Sequence, residues 1–132
     1  MPIRISVDIC IPEVLADLEQ VAPVYAVSGN NDPEWLRARL PRERIFDVGT
    51  FRIGLTHGDS RSYPAREWVL RRWRDTVACV VYGHSHVAEV VVRSGVLMVN
   101  PGSPTRPNFG RRASVAIIDV QDTIDARIVE VG

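Results

Sequence analysis

The sequence predicts an α/β fold made of one strand-rich unit, with helices early in the chain and hairpins late. Three observations carry this prediction. Short apolar runs of strand length recur along the whole chain. Helical stripes separate the early runs. The later runs fall in adjacent pairs around turn residues such as Gly49 and Ser94–Gly95.

In chain order, residues 2–7 alternate, with Ile3, Ile5 and Val7 on one side and Arg4 and Ser6 on the other, the period of a strand. Residues 12–20 follow as a helix. Pro12 suits a first helical position, Glu13 suits the positive N-terminal end, and Val14, Leu15 and Leu18 form a stripe. Residues 23–28 (PVYAVS) are a second strand, stopped by Gly29. Asp32 and Pro33 then supply the cap and first residue of a short helix that ends before Pro41.

Residues 45–48 and 51–56 flank Gly49 as a hairpin. Residues 64–74 are a helix with Ala65, Trp68, Val69 and Trp73 on one side. Residues 77–82 are almost purely apolar, as in a strand covered on both faces. Residues 89–92 and 96–99 pair around Ser94 and Gly95. The irregular run NPGSPTRPNFGRR follows, and residues 113–120 and 126–131 make a final hairpin. Repeats, low-complexity tracts and linkers are absent from this sequence, so a single domain over 1–132 is expected.

The composition is 45% apolar and 24% charged, and 16 basic residues balance 16 acidic ones. That balance lacks the positive excess needed by a surface for nucleic acid or anionic lipid. All 16 basic residues are Arg. Arg71, Arg72 and Arg74 beside Trp68 and Trp73 read as the solvated side of a helix packed on a sheet. No apolar run approaches the roughly 20 residues that cross a bilayer, and the start MPIRISVD does not read as a secretory signal. The expectation is a soluble, cytoplasmic protein without a membrane or nucleic-acid partner. Of the cysteines Cys10 and Cys79, the second lies inside VACVVY and reads as a small buried hydrophobe rather than half of a disulfide.

The chemistry gathers at strand ends. His57 ends FRIGLTHG, His84 and His86 end VACVVYGHSH, Asp8 follows RISV, and Asn30 follows YAVSG. Ligand sites in α/β proteins form outside the carboxyl edge of the sheet, so four strand ends deliver one carboxylate, one amide oxygen and three imidazoles there. A mixed N/O set of this kind suits Mn, Fe, Co or Zn better than Mg or Ca.

These motifs resemble the calcineurin-like metallophosphoesterases, in particular the compact bacterial and archaeal phosphodiesterase branch that also contains the eukaryotic retromer subunit. Gly29-Asn30 matches the family's Gly-Asn motif, Thr56-His57-Gly58 its single-His motif, and Gly83-His84-Ser85-His86 its Gly-His-x-His motif. Asn100-Pro101-Gly102-Ser103 matches the branch's Asn-Pro-Gly-Ser. Asp8-Ile9-Cys10 with the following PEVLADL resembles the segment that starts at the Asp of Gly-Asp, with Val7 in place of the glycine. The resemblance implies a two-sheet β-sandwich flanked by helices.

Two departures accompany it. No Asp-x-His precedes Asp8, so the N-terminal β-α unit of the family is expected to be missing from this sequence, through a start placed downstream or an internal deletion. In the second case Cys10 stands where the histidine of Asp-x-His would be; the Gly-Asp alignment is preferred because IPEVLADLEQVAPVYAV continues it without a gap. The family often carries a proton-donating histidine after its Gly-Asn, where this chain has Asn31, which can hydrogen-bond a phosphate oxygen but cannot supply a proton at neutral pH.

The resemblance implies a metal-dependent phosphoesterase, most simply a phosphodiesterase acting on a phosphate-ester small molecule. Metal-bound hydroxide attacks phosphorus in line, between two metals roughly 3.5–4 Å apart. Carried over residue by residue, one metal takes Asp8, Asn30, His57 and His84, and the other keeps only Asp8 and His86. Mn²⁺ is the expected metal, with Fe, Co, Ni or Zn as alternatives. One well-held metal, an incomplete second site and reduced activity follow, with affinity falling below roughly pH 6 as imidazoles protonate. Loss of the family's first strand would also leave apolar surface or an open sheet edge, which pairing into a homo-oligomer would cover. The competing reading is a non-catalytic protein-interaction module on the same fold.

Overall fold

Strands form at each position where the sequence places one, with ends moved by at most two residues. The computed structural model describes residues 4–7, 20, 24–27, 34–35, 40–57, 65–85, 87–103, 110 and 112–131, with the backbone alone at 4–7, 24–27, 65, 66 and 68. The strands are β1 (Arg4–Val7), β2 (Val24–Val27), β3 (Glu43–Val48), β4 (Phe51–Thr56), β5 (Cys79–Val81), β6 (Glu89–Arg93), β7 (Val96–Asn100), β8 (Ser114–Val120) and β9 (Ile124–Glu130). The helix α1 (Ala65–Trp73) lies between β4 and β5. Of the expected helix at 12–20 only Gln20 is described, in a turn, and of the expected short helix Glu34 and Trp35 are described and helical.

Three strands run parallel through the middle of a five-stranded sheet of order β3-β4-β5-β7-β6, and both edge strands pair antiparallel. β1 and β2 form a parallel pair, and β8 and β9 an antiparallel one. The central sheet is apolar on both faces because both are covered. On one face Ile53, Leu55, Cys79, Val81, Leu97 and Val99 pack against Phe46, Val48 and the inner row of the β8–β9 hairpin, Ala116, Ile118, Ile124 and Ala126. On the other face Val80, Val96, Met98 and Tyr82 meet Val69 and Trp73 of α1, with Leu70 and Val91 at the margin. The result is a sheet-on-sheet sandwich with a helix outside it, the architecture the resemblance implied.

The stripe read from the sequence settles how α1 docks. Val69 and Trp73 are buried while Arg71, Arg72 and Arg74 are exposed, with Arg72 reaching Glu43 at 3.4 Å. The Trp73 ring lies directly against Gly54, where a Cβ would stand 2.7 Å from Cε3. Only glycine lets helix and strand approach this closely. Cys79 is a buried free thiol, and burial raises its pKa from the ordinary 9.0 to about 12. Among the described residues no helix is long and apolar enough to cross a membrane.

Candidate functional site

Because β4, β5 and β7 are parallel, their carboxyl ends lie on one edge of the sheet. His57 comes directly after β4, Gly83 and His84 come directly after the end of β5 and Tyr82, and Asn100 closes β7. Backbone hydrogen bonds continue the sheet past its formal ends. Tyr82 N–H donates to Val99 C=O at 3.0 Å, and Gly83 N–H donates to His57 C=O at 3.0 Å. The first fixes β5 to β7, and the second brings the turn carrying His84 against His57.

The two imidazoles meet edge to face, with ring centres 5.0 Å apart and planes at 84°. His57 is 1% exposed, whereas His84 faces solvent. The Nε2 atom of His57 is buried with no hydrogen bond from the described residues, while other interactions hold the residue. His84 has φ 71°, the left-handed region that side chains rarely adopt.

Hydrogen bonds around Asn100 organise the rest of the edge. Its Nδ2 donates to Gly83 C=O at 3.3 Å and to Ser85 Oγ at 3.0 Å, and its Oδ1 accepts Gly102 N–H at 3.0 Å. Ser85 Oγ also accepts Val87 N–H at 3.2 Å. Ser114 Oγ donates to Pro101 C=O at 2.7 Å, tying the loop after β7 to the hairpin sheet. Gly102 has φ 76°, and a Cβ there would collide with Ser114 Oγ and lie 3.2 Å from the Ala88 Cβ, so the turn requires glycine on both counts.

A two-imidazole metal ligation can be tested against this geometry. A metal–nitrogen bond of about 2.0–2.1 Å puts each ring centre about 3.2 Å from the ion, and a near-tetrahedral angle then separates the centres by about 5 Å. The observed 5.0 Å fits, and neutral imidazole is a donor for the metals named above. Of the residues singled out from the sequence, the structure brings His57 and His84 together. Asp8, Asn30, Asn31 and His86 lie outside the described residues. Among the described residues no three His, Cys, Asp or Glu side chains group together, so the described part of the site is this pair and its scaffold.

Sequence reasoning gave Asn100 and Ser85 no role beyond membership in Asn-Pro-Gly-Ser and Gly-His-x-His, and Ser114 none at all. An apolar strand ending in a buried amide (VLMVN) was the available signal, because a buried amide must be satisfied on both ends.

A family description matches residues 3–123: calcineurin-like phosphoesterase superfamily domain. A probable metallophosphoesterase of Methanothermobacter thermautotrophicus is 32% identical over 129 residues, covering 95% of this chain and 73% of that protein. One of Methanocaldococcus jannaschii is 31% identical over 127 residues, covering 94% and 63%. Among solved structures, a single mutant of Vps29 from Entamoeba histolytica superposes with a TM-score of 0.80 at 22% identity, covering 100% of this chain and 83% of that one. The wild-type protein complexed with Zn²⁺ gives 0.76 at 22% identity, covering 96% and 82%. A novel archaeal phosphodiesterase gives 0.76 at 20% identity, covering 97% and 83%. The two probable metallophosphoesterases are relatives by sequence, and the structural likenesses show the fold.

Proposed function

Since the chain belongs to the calcineurin-like phosphoesterase superfamily, a family of metal-dependent phosphoesterases, we propose that it is a phosphodiesterase working at the carboxyl edge of the five-stranded sheet. The observation that carries the proposal is the convergence of His57 and His84 from two parallel strands, at the spacing two imidazoles adopt around one ion. Asp8, Asn30, His57 and His84 would hold this metal, and Asp8 and His86 would contribute to a second. When bound, a divalent metal supplies positive charge that polarises a phosphoryl oxygen and acidifies water. Mn²⁺ is the metal proposed. Zn²⁺ is the alternative supported by its presence in the amoebal Vps29 complex.

The chain's own residues then divide the work. His57, buried at the end of β4, would fix one ligand direction; His84, exposed to solvent, would lie on the side from which a phosphate ester approaches. Asn31 donates a hydrogen bond to a phosphoryl oxygen and orients the substrate. As an amide it does not protonate the leaving group, so a weakly basic leaving group such as an aryl oxide is favoured over an alkoxide. Residues 1–132 offer four side chains to one ion and two to another, so this polypeptide binds one equivalent tightly and turns over slowly.

The test is hydrolysis of bis(p-nitrophenyl) phosphate by the chain with added Mn²⁺. A low, chelator-sensitive rate is expected, cut at least about 100-fold in His84→Ala, a loss of about 2.7 kcal/mol in transition-state stabilisation. A rate indifferent to metal and to His84→Ala would contradict the proposal. Tight metal uptake without turnover would favour a protein-interaction module on this fold.

A further inference from the structure

None of the roles above uses the Asn-Pro-Gly-Ser run, yet its first residue is buried to 1% exposure and its side-chain amide makes three hydrogen bonds along the edge of the site. The Asn100 amide bonds to the residues on both sides of His84. Nδ2 reaches Gly83 C=O at 3.3 Å and Ser85 Oγ at 3.0 Å. On its other flank, the Gly83 peptide donates to His57 C=O at 3.0 Å. One line of hydrogen bonds therefore runs from the end of β4, through the turn after β5, to the end of β7. His84 sits inside this line at φ 71°, a conformation that persists only where the surroundings over-determine it.

We infer that Asn100 is a positioning residue. It clamps Gly83 and Ser85 so that the His84 backbone stays left-handed and its imidazole stays at 5.0 Å from that of His57. The inference rests on the reading that these two imidazoles hold the metal. The residue type follows from the geometry: two donations on one side and one acceptance from Gly102 N–H on the other need an amide on a short stem. A carboxylate lacks the donors, and a hydroxyl is too short to span the gap. Ser114 supplies the natural control. Its hydroxyl bonds the same loop at Pro101 C=O, 2.7 Å away, and among the described residues of the His84 turn it makes no bond.

The experiment is a Co²⁺ titration of the 132-residue chain followed by visible absorption, with thermal melts of each metal-free variant alongside. Asn100→Ala is expected to raise the Kd for Co²⁺ about 10- to 100-fold and to alter the spectrum of the bound ion, as loss of a ligand's support does. Ser85→Ala, which keeps the bond to Gly83, is expected to raise it about 3-fold. Ser114→Ala should lower the melting temperature and leave the Kd and spectrum as in wild type. Wild-type affinity in folded Asn100→Ala would overturn the inference, as would equal weakening by Ser114→Ala. Should Asn100→Ala not fold, Ser85→Ala decides: unchanged affinity there overturns it. A wild-type chain that takes up no Co²⁺ contradicts the underlying metal reading instead, which separates the two failures.

Discussion

In the middle of the five-stranded sheet, Ile53, Leu55, Val80, Val99 and Met98 are buried without a polar side chain among them. A residue or two further along the same strands, Thr56, His57 and Asn100 are buried just as deeply, and Ser103 and Ser114 join them from the neighbouring loop and hairpin. All five buried polar side chains among the described residues thus lie at the carboxyl edge or against the loop that leaves it. Apolar burial contributes stability in proportion to area, at about 25 cal/mol per Å². A buried polar group offers no such return and costs free energy unless hydrogen-bonded. The interior is built to hold the sheet together; the edge is built to hold particular atoms in particular directions.

This contrast can be broken by exchanging the expected effects of mutation between the two regions. His57→Ala should abolish the rise in melting temperature that Mn²⁺ gives the wild type and cut metal-dependent hydrolysis at least about 100-fold. Leu55→Ala should do the reverse. It empties a fully buried site and costs about 2–5 kcal/mol in denaturant unfolding, while the metal-induced rise remains. If Leu55→Ala removed the metal response, edge and interior would not be separable.

A finer version uses Gly54, on the helix-facing side of the same strand. Gly54→Ala drives a methyl into the Trp73 ring and should cost about 1–3 kcal/mol in denaturant unfolding with little change in metal affinity, because the strain stays between β4 and α1. The smallest effect concerns Cys79. Burial raises its pKa to about 12, so the folded state holds the neutral thiol. The stability this gives is fully present below pH 9 and lost as pH rises from 9 toward 12. Melts across that range should show the wild type falling faster than Cys79→Ala, and at about pH 8 a thiol reagent should label Cys79 only after unfolding.

The sequence made the interior legible and the edge only partly so. Period and apolarity placed β4, β5 and β7 to within two residues, and the stripe through Val69 and Trp73 foretold which side of α1 is buried, because those signals are local. β3 begins two residues before its apolar run, since Glu43 and Arg44 pair with Thr56 and Leu55 of β4 whatever their polarity. β9 likewise starts at Ile124 because the turn at 121–123 is tighter than the pattern suggested, closed by Gln121 N–H on Thr123 C=O. At the edge, the strand-end histidines pointed to a shared pocket, and His57 and His84 do meet. The Asn100 clamp was not readable, because it depends on β7 lying beside β5 with β6 outside both, a topology no local pattern encodes.

Anomalous diffraction from crystals of the chain grown with Mn²⁺ addresses the metal site most directly. One strong peak bonded to ring nitrogens of both His57 and His84 is the predicted result. Manganese bound elsewhere with those two rings unligated, or no peak at the carboxyl edge at saturating metal, would contradict the account.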